Sequence, residues 1–318
     1  MTRIMVTGGA GFIGSTLVDR LLAEGHTVDV VDDLSSGSLA NLAEARSGHG
    51  HDLRVHQLDI RSDAVVELMV RRQPEVVYHL AAQSAVRVSV DRPVFDAEVN
   101  VLGTLQILEG ARVSGVGRVV FAASGGTLYG EPTPHELPVR ESQPHRPLSP
   151  YGVSKKVGID YLVCYRDLHA LEFCALALAN VYGPRQDPHG EAGVVSIFAE
   201  HLVQGKALPV FGDGEQTRDF VYVDDVVDAF VRAGTRGGGL VLNIGTGREV
   251  SVNELVSTMA TAAGRKVEVE HRSPRPGELR RSSLDGSRAG IHLGWRPWTD
   301  LAAGVAAVMD HVGGHRSS

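Results

Sequence analysis

A doubly wound α/β fold (Rossmann) with a smaller α/β substrate-binding region is predicted by three observations. Strand-length runs of Val, Ile and Leu alternate with helix-length amphipathic segments through the first half; a glycine-rich turn joins the first strand to the first helix; and the alternation breaks up after about residue 180. Continuous apolar strands separated by helices mark a parallel sheet buried on both faces, because parallel neighbours need a crossover. The chain has 318 residues, 43% hydrophobic and 22% charged, enough for one or two full cores.

In order, Arg3–Thr7, Thr27–Asp32, Leu53–Asp59, Glu75–Leu80, Arg118–Ala123 and Glu172–Leu178 read as strands. Turn-rich stretches follow at 183–193, 211–215 and 273–277, while Val221–Phe230 and Leu240–Ile244 read as a strand-helix-strand return to the sheet. The expectation is one domain over 1–180, with return elements at about 219–245, and a smaller one over 181–318, its tail 313–318 frayed.

Thirty-one Lys plus Arg against 38 Asp plus Glu leave a net charge of −7, the wrong sign for coating nucleic acid or anionic lipid. Neither partner is expected, and anionic ligands must be held by local sites. No apolar run approaches the roughly 18–20 residues that span a bilayer, and Ile4–Val6 runs into glycines without a signal-peptide core. A cytoplasmic protein, mature from Met1, is expected. Cys164 and Cys174 show no disulfide framework or metal-ligand spacing and read as small core residues of a reducing compartment. No metal site is expected; His49 and His51 lie in a glycine-rich loop.

Thr7-Gly-Gly-Ala-Gly-Phe-Ile-Gly14 follows a strand and opens a helix, with glycines 8, 11 and 14 spaced G-x-x-G-x-x-G. Backbone without side chains lets amide N–H groups approach a pyrophosphate, whose charge suits the positive end of the helix dipole. Eighteen residues beyond Gly14 the next strand ends at Asp32, a carboxylate able to accept both hydroxyls of an adenosine ribose and repel a 2′-phosphate. NAD is therefore expected over NADP. Asp59 reads equally as an acceptor for the adenine amino group or as a helix N-cap.

Ser149-Pro-Tyr-Gly-Val-Ser-Lys155 begins a helix, Pro150 standing where its missing N–H is harmless. Tyr151 and Lys155, four apart, share a helix face, so an ammonium can lower the phenol's pKa. A base working at pH 7 needs a shift of about 3 units from the phenol's usual value, or about 4 kcal/mol. Lys155 and an oxidised nicotinamide are two candidate charges for it.

Further motifs join these: Asp32-Asp-Leu-Ser-Ser-Gly37, His79-Leu-Ala-Ala-Gln83, Asn100-Val-Leu-Gly-Thr104, Ser124 to Gly130, Asn180-Val-Tyr-Gly-Pro-Arg185, Arg218 to Asp225, and Arg275-Pro-Gly-Glu278. With them the chain resembles, over nearly its whole length, the extended short-chain dehydrogenase/reductase family and, within it, the NAD-dependent nucleotide-sugar epimerases. The resemblance implies interconversion of UDP-glucose and UDP-galactose through a transient 4-keto sugar, on NAD that is never released. It assigns to NAD Gly8, Gly11, Phe12, Ile13, Gly14, Asp32, Asp33, Leu34, Ser36, Gly37, Asp59, Ile60, Leu80, Ala81, Ala82, Gln83, Asn100, Ala122, Tyr151, Lys155 and Val181. Tyr151 is then the base on the sugar's 4-hydroxyl.

One position departs from the family: where relatives carry a third catalytic hydroxyl this chain has Gly125, so Ser124 is taken for the role with Thr127 in reserve. Ser124 capping a strand end is the plainer reading. Related dehydratases place an Asp-Glu pair just after the hydroxyl, and decarboxylases a Glu; this chain has Gly126-Thr127-Leu128, leaving hydride return.

By the same resemblance Arg218 and Arg275 bind the diphosphate, through charge-assisted bonds. Glu278, where relatives have Asp, takes the ribose hydroxyls. Asn180, Val194, Val195, Pro209, Val210 and Phe211 face the phosphate-sugar and uracil ends, and Tyr151, Ser124 and Thr127 the hexose. Singly, Arg218 could instead pair with Asp219 or Asp213. Ser282, small where selective epimerases carry Tyr, leaves room for an N-acetyl group and so for UDP-N-acetylhexosamines. Arg87 motivates a second reading, a UDP-glucuronate 4-epimerase; a third, of another class, is a catalytically silent NAD-binding regulator. The apolar faces of the Asn100 and Tyr151 helices are either core or a homodimer's helix bundle.

Overall fold

The computed structural model describes residues 1–188, 193–274 and 279–314. Its first half runs β1 (Arg3–Thr7), α1 (Phe12–Ala23), β2 (Thr27–Asp32), α2 (Ala43–Gly48), β3 (Leu53–Gln57), α3 (Asp63–Arg72), β4 (Val76–His79), α4 (Val86–Asp91), α5 (Pro93–Ala97), α6 (Gly103–Ser114), β5 (Arg118–Ser124), α7 (Gly125–Leu128), α8 (Pro150–His169) and β6 (Glu172–Leu178). There follow β7 (Asn180–Tyr182), α9 (Val194–Val203), β8 (Leu208–Phe211), β9 (Thr217–Arg218), β10 (Phe220–Tyr222), α10 (Val223–Ala233), β11 (Leu240–Ile244), β12 (Val250–Ser251), α11 (Val252–Ala262), β13 (Val269–Arg272), α12 (Ser287–Leu293) and α13 (Leu301–Gly314).

Seven parallel strands form one sheet in the order β11-β6-β5-β4-β1-β2-β3. Alternation along each strand divides the core. Ile4, Val6, Val28 and Val30 face α1, α10 and Trp295, whereas Met5, Val77, Val119 and Phe121 face α3, α6 and α8. A third core, around Tyr182, Phe198, Val210, Phe220, Leu255 and Val305, holds together the elements beyond the sheet.

The chain leaves β1 toward β2 and β3 on one side, then crosses to β4, β5 and β6 on the other. A crevice therefore opens at the carboxyl ends of β1 and β4, where ligands of open α/β sheets bind. Thr7 and His79 are paired there, each the last residue of its strand.

Several expectations change. The strand from Leu53 ends at Gln57, leaving Asp59 in a turn; that from Glu75 narrows to Val76–His79; and that from Arg118 runs on to Ser124. The segment at Val221 does not return to the sheet: β10 pairs with β7 in a two-stranded sheet of its own, and only β11 joins the large one, beside β6. Gly313 and Gly314 are helical rather than frayed, and 315–318 lie outside the described residues. Cys174 is buried but Cys164 is exposed on α8, contrary to the core role expected of both. Among the described residues no helix is long and apolar enough to cross a membrane.

Candidate active site

The glycine loop closes on itself between β1 and α1. Gly11 N–H donates to the Gly8 carbonyl at 3.2 Å and Ser15 N–H to the Gly11 carbonyl at 3.0 Å. Two glycines are sterically required. Gly8 has φ +71°, and a Cβ there would lie 2.7 Å from Ala81 N; a Cβ on Gly14 would lie 2.0 Å from the Gly8 carbonyl oxygen. The loop is thus pressed against the Leu80-Ala81 turn after β4. Gly11, the N-cap of α1, offers no side-chain acceptor, so the first-turn amides of Phe12, Ile13 and Gly14 point out of the helix end.

Asp32 ends β2 beside this loop, 7% exposed. Its oxygens accept Ala10 N–H and Leu34 N–H, each at 2.9 Å. Burial raises its carboxyl pKa while those two bonds oppose the rise. Each oxygen keeps a lone pair for a ribose hydroxyl. Leu34 takes a positive φ of 61° to make the turn, and Asp33 and Ser36 stand exposed nearby. These backbone cradles and the acid fit a dinucleotide whose 2′-hydroxyl is free.

Asp59 is bound bidentately by Arg61, whose Nε donates to Oδ1 at 3.0 Å and Nη2 to Oδ2 at 2.5 Å, which holds its carboxyl below the usual range. The N-cap of α3 is Ser62, so the capping role expected for Asp59 falls to the serine three residues on. A surface cleft of about 600 Å³ opens there, lined by Asp59, Arg61, Ser62, Glu98, Leu102 and Gln106. Ile60 is buried in the α3–α6 core and does not line that cleft.

Ser149 caps α8, its hydroxyl accepting Gly152 N–H at 3.2 Å, with Pro150 in the first turn. This sets Tyr151 at the helix start, where its hydroxyl is hydrogen-bonded to Ser124 at the end of β5. Lys155, 4% exposed, places its ammonium 5.7 Å from the Tyr151 ring centre and 4.9 Å from that of Phe121. The ammonium does not make the phenol acidic in the way expected. Burial pushes Tyr151 up to about 12, with only the Ser124 bond pulling the other way. Burial meanwhile lowers Lys155 to about 8. Desolvation outweighs the pairing, so the chain alone does not prepare a phenolate.

Thr127 lies one turn from Ser124 and gives its hydroxyl to the Ser124 carbonyl at 3.4 Å. Asn100, 3% exposed, exchanges bonds with the Gln83 backbone: Gln83 N–H donates to its Oδ1 and its Nδ2 to the Gln83 carbonyl, both at 2.9 Å. Residues Leu80 to Gln83, Asn100, Ala122, Tyr151 and Lys155 thus converge at the ends of β4 and β5.

On the other side, Arg218 lies on β9 and donates to the Thr217 carbonyl at 2.8 Å. Its suggested partners are engaged elsewhere: Asp213 is clasped by Arg280 at 2.9 and 3.0 Å, and Asp219 accepts Thr246, Gly247 and Leu284 amides. Asn180 is exposed on β7, and Val181 is half-buried beside it. Val194 and Phe211 are half-buried, and Pro209 is buried. Val195 and Val210, each 1% exposed, turn into the third core, so their side chains pack there rather than facing a ligand. Ser282 is buried at 7%. Arg87 is exposed on α4. Arg275 and Glu278 lie outside the described residues.

Sequence reasoning missed Asp96, buried between Asn100, Gln83 and Ser154, and the role of His79. His79 Nδ1 lies 2.7 Å from the Thr7 hydroxyl and Nε2 3.0 Å from that of Thr104. The i to i+4 spacing of Asp96 and Asn100 was the one available signal.

Residues 4–245 match the NAD dependent epimerase/dehydratase family. The chain is 52% identical over 309 residues to a UDP-glucose 4-epimerase of Mycolicibacterium smegmatis, covering 97% of each. It is similar in structure to a UDP-glucose 4-epimerase of Thermotoga maritima with UDP-glucose, at TM-score 0.93 and 41% identity over 97% of this chain and 98% of that one. A Thermus thermophilus UDP-glucose 4-epimerase in complex with NAD gives TM-score 0.91 and 41% identity, covering 98% of each.

Proposed function

Because the chain belongs to the NAD-dependent epimerase/dehydratase family, we infer that it is an NAD-dependent nucleotide-sugar 4-epimerase interconverting UDP-glucose and UDP-galactose. The observation that carries this is the Tyr151 hydroxyl, bonded to Ser124 with Lys155 one turn along, at the crevice beside the glycine loop.

NAD, which the loop amides of 12–14 and Asp32 would hold, would supply a hydride acceptor and donor and, when oxidised, a positive charge that favours the ionised phenol. Tyr151 takes the proton of the sugar's 4-hydroxyl as C4 loses its hydride, and gives it back once the 4-keto sugar presents its other face. Ser124 shares a hydrogen bond with the phenol and holds the 4-oxygen in line. Lys155 stabilises the ionised form of Tyr151. The loop amides of 12–14 and the Asp32 carboxylate hold the pyrophosphate and ribose. Gly126, Thr127 and Leu128 supply no carboxyl group for loss of water from the ketone.

In this reading 1–180, with α10 and β11, carries the cofactor, and the rest of 181–318 the nucleotide sugar, with Arg218 on the diphosphate. The same protein forms a homodimer through α6 and α8, whose Val113, Val153, Val163 and Leu168 are exposed; sedimentation of wild type and Val163→Asp tests this. Small Ser282 extends the substrates to UDP-N-acetylhexosamines. The function is tested by incubating purified protein, without added NAD, with UDP-glucose and following UDP-galactose by NMR, Tyr151→Phe serving as control. Interconversion by wild type only is expected; a product lacking a hydroxyl, or none, refutes it.

A further inference from the structure

Under Tyr151 and Lys155 lies a carboxylate that the mechanism above does not use. Asp96, on α5, is 0% exposed. Its Oδ2 accepts the Ser154 hydroxyl at 2.6 Å, and its Oδ1 accepts Gln83 Nε2 and Asn100 Nδ2, each at 2.9 Å. All three donors are neutral. A carboxylate buried among neutral donors is costly unless an opposite charge is buried with it. Lys155 is the residue after Ser154, on the helix packed against α5, and is itself buried. We propose that Asp96 is a positioning residue for the epimerase reaction: it keeps Lys155 in the ammonium form and, through Ser154, Gln83 and Asn100, ties that ammonium to the turn after β4.

The groups facing Lys155 are Tyr151 of its own helix, Phe121 of β5, His79 of β4 and Asp96 of α5. His79 is a neutral imidazole, since burial and the Lys155 ammonium hold it down at about 3. Asp96 is thus the anion of the set. Burial lowers Lys155 to about 8, and Asp96 opposes that fall. The proposal rests on the reading of Lys155 as the ammonium serving Tyr151.

The chain has four lysines, Lys155, Lys156, Lys206 and Lys266, so the Lys155 ε-carbon of ¹³C-lysine-labelled holoenzyme is assignable by its loss in Lys155→Arg. In wild type it should titrate near 8. In Asp96→Asn the midpoint should drop by about one pH unit, and the alkaline limb of kcat should move down with it while KM stays. Ser154→Ala removes a bond but no charge and should leave the midpoint in place. Asp96→Glu keeps the charge and should hold the midpoint near wild type even where Asp96→Asn does not fold. An unmoved midpoint in folded Asp96→Asn, a fall in Asp96→Glu, or an equal fall in Ser154→Ala overturns the proposal. Full turnover by Lys155→Met would instead overturn the role of Lys155, which the resonance reads independently of turnover.

Discussion

Gly125 is packed against Leu284: a Cβ at 125 would lie 2.3 Å from Leu284 Cδ1 and 3.1 Å from the Ala177 carbonyl oxygen. The position where relatives carry their third hydroxyl is therefore closed to a side chain in this protein. Gly125→Ser should lose about 1–3 kcal/mol in urea unfolding without raising kcat. Adding Leu284→Ala should recover part of that loss relative to Leu284→Ala alone. A fully stable, faster Gly125→Ser would contradict the packing.

With 125 closed, the hydroxyl next to Tyr151 is Ser124. Ser124→Ala should lower kcat about a hundredfold, the scale of one lost donor at a reacting oxygen. Thr127→Ala, whose hydroxyl is turned to the Ser124 carbonyl, should stay within about threefold of wild type. Initial rates decide between them, and the reverse ranking would move the role to Thr127.

His79 gives an acid-stability signature. The Thr104 hydroxyl donates to the Asn100 carbonyl at 2.7 Å, so Nε2 carries the imidazole proton toward Thr104 and Nδ1 accepts from Thr7. A folded-state value near 3 against 6.5 when free means the unfolded chain binds the extra proton first. The contribution is complete above about 6.5 and is lost as pH falls from there toward 3, at most about 1.4 kcal/mol per pH unit. Urea midpoints of wild type should fall over that window, and those of His79→Gln less steeply. Parallel curves would refute it.

Ser282→Tyr should suppress turnover of UDP-N-acetylglucosamine about tenfold more than that of UDP-glucose, because the phenol would take up the room that an N-acetyl group needs. Product ratios for both substrates give the answer. No detectable wild-type activity on the acetamido sugar, with an unchanged preference in the variant, would contradict the role of Ser282.

How far the sequence was legible follows from where each signal is local. β1, β2 and β6 keep their expected bounds because their apolar runs end at glycine, acid or turn residues. Val221 carries the same β-branched signal, yet its partner is Val181 rather than a strand of the large sheet, a choice made by tertiary pairing. Cys164 was misplaced because periodicity does not say which faces of a long helix are covered. Tyr151, Lys155 and Ser124 were legible as motifs. The dominance of burial over the ammonium at Tyr151 was not, since desolvation depends on what closes around the phenol. Asp96 escaped notice because its partners come from three separate segments.

The central claim is that C4 gives up and regains one and the same hydride while Tyr151 moves the hydroxyl proton. UDP-glucose deuterated at C4, incubated in ordinary water without added NAD, tests it directly. UDP-galactose should form with the deuterium retained at C4, and Tyr151→Phe should slow its formation about 10²- to 10⁴-fold. Loss of the label to solvent, or undiminished turnover by Tyr151→Phe, would contradict the account.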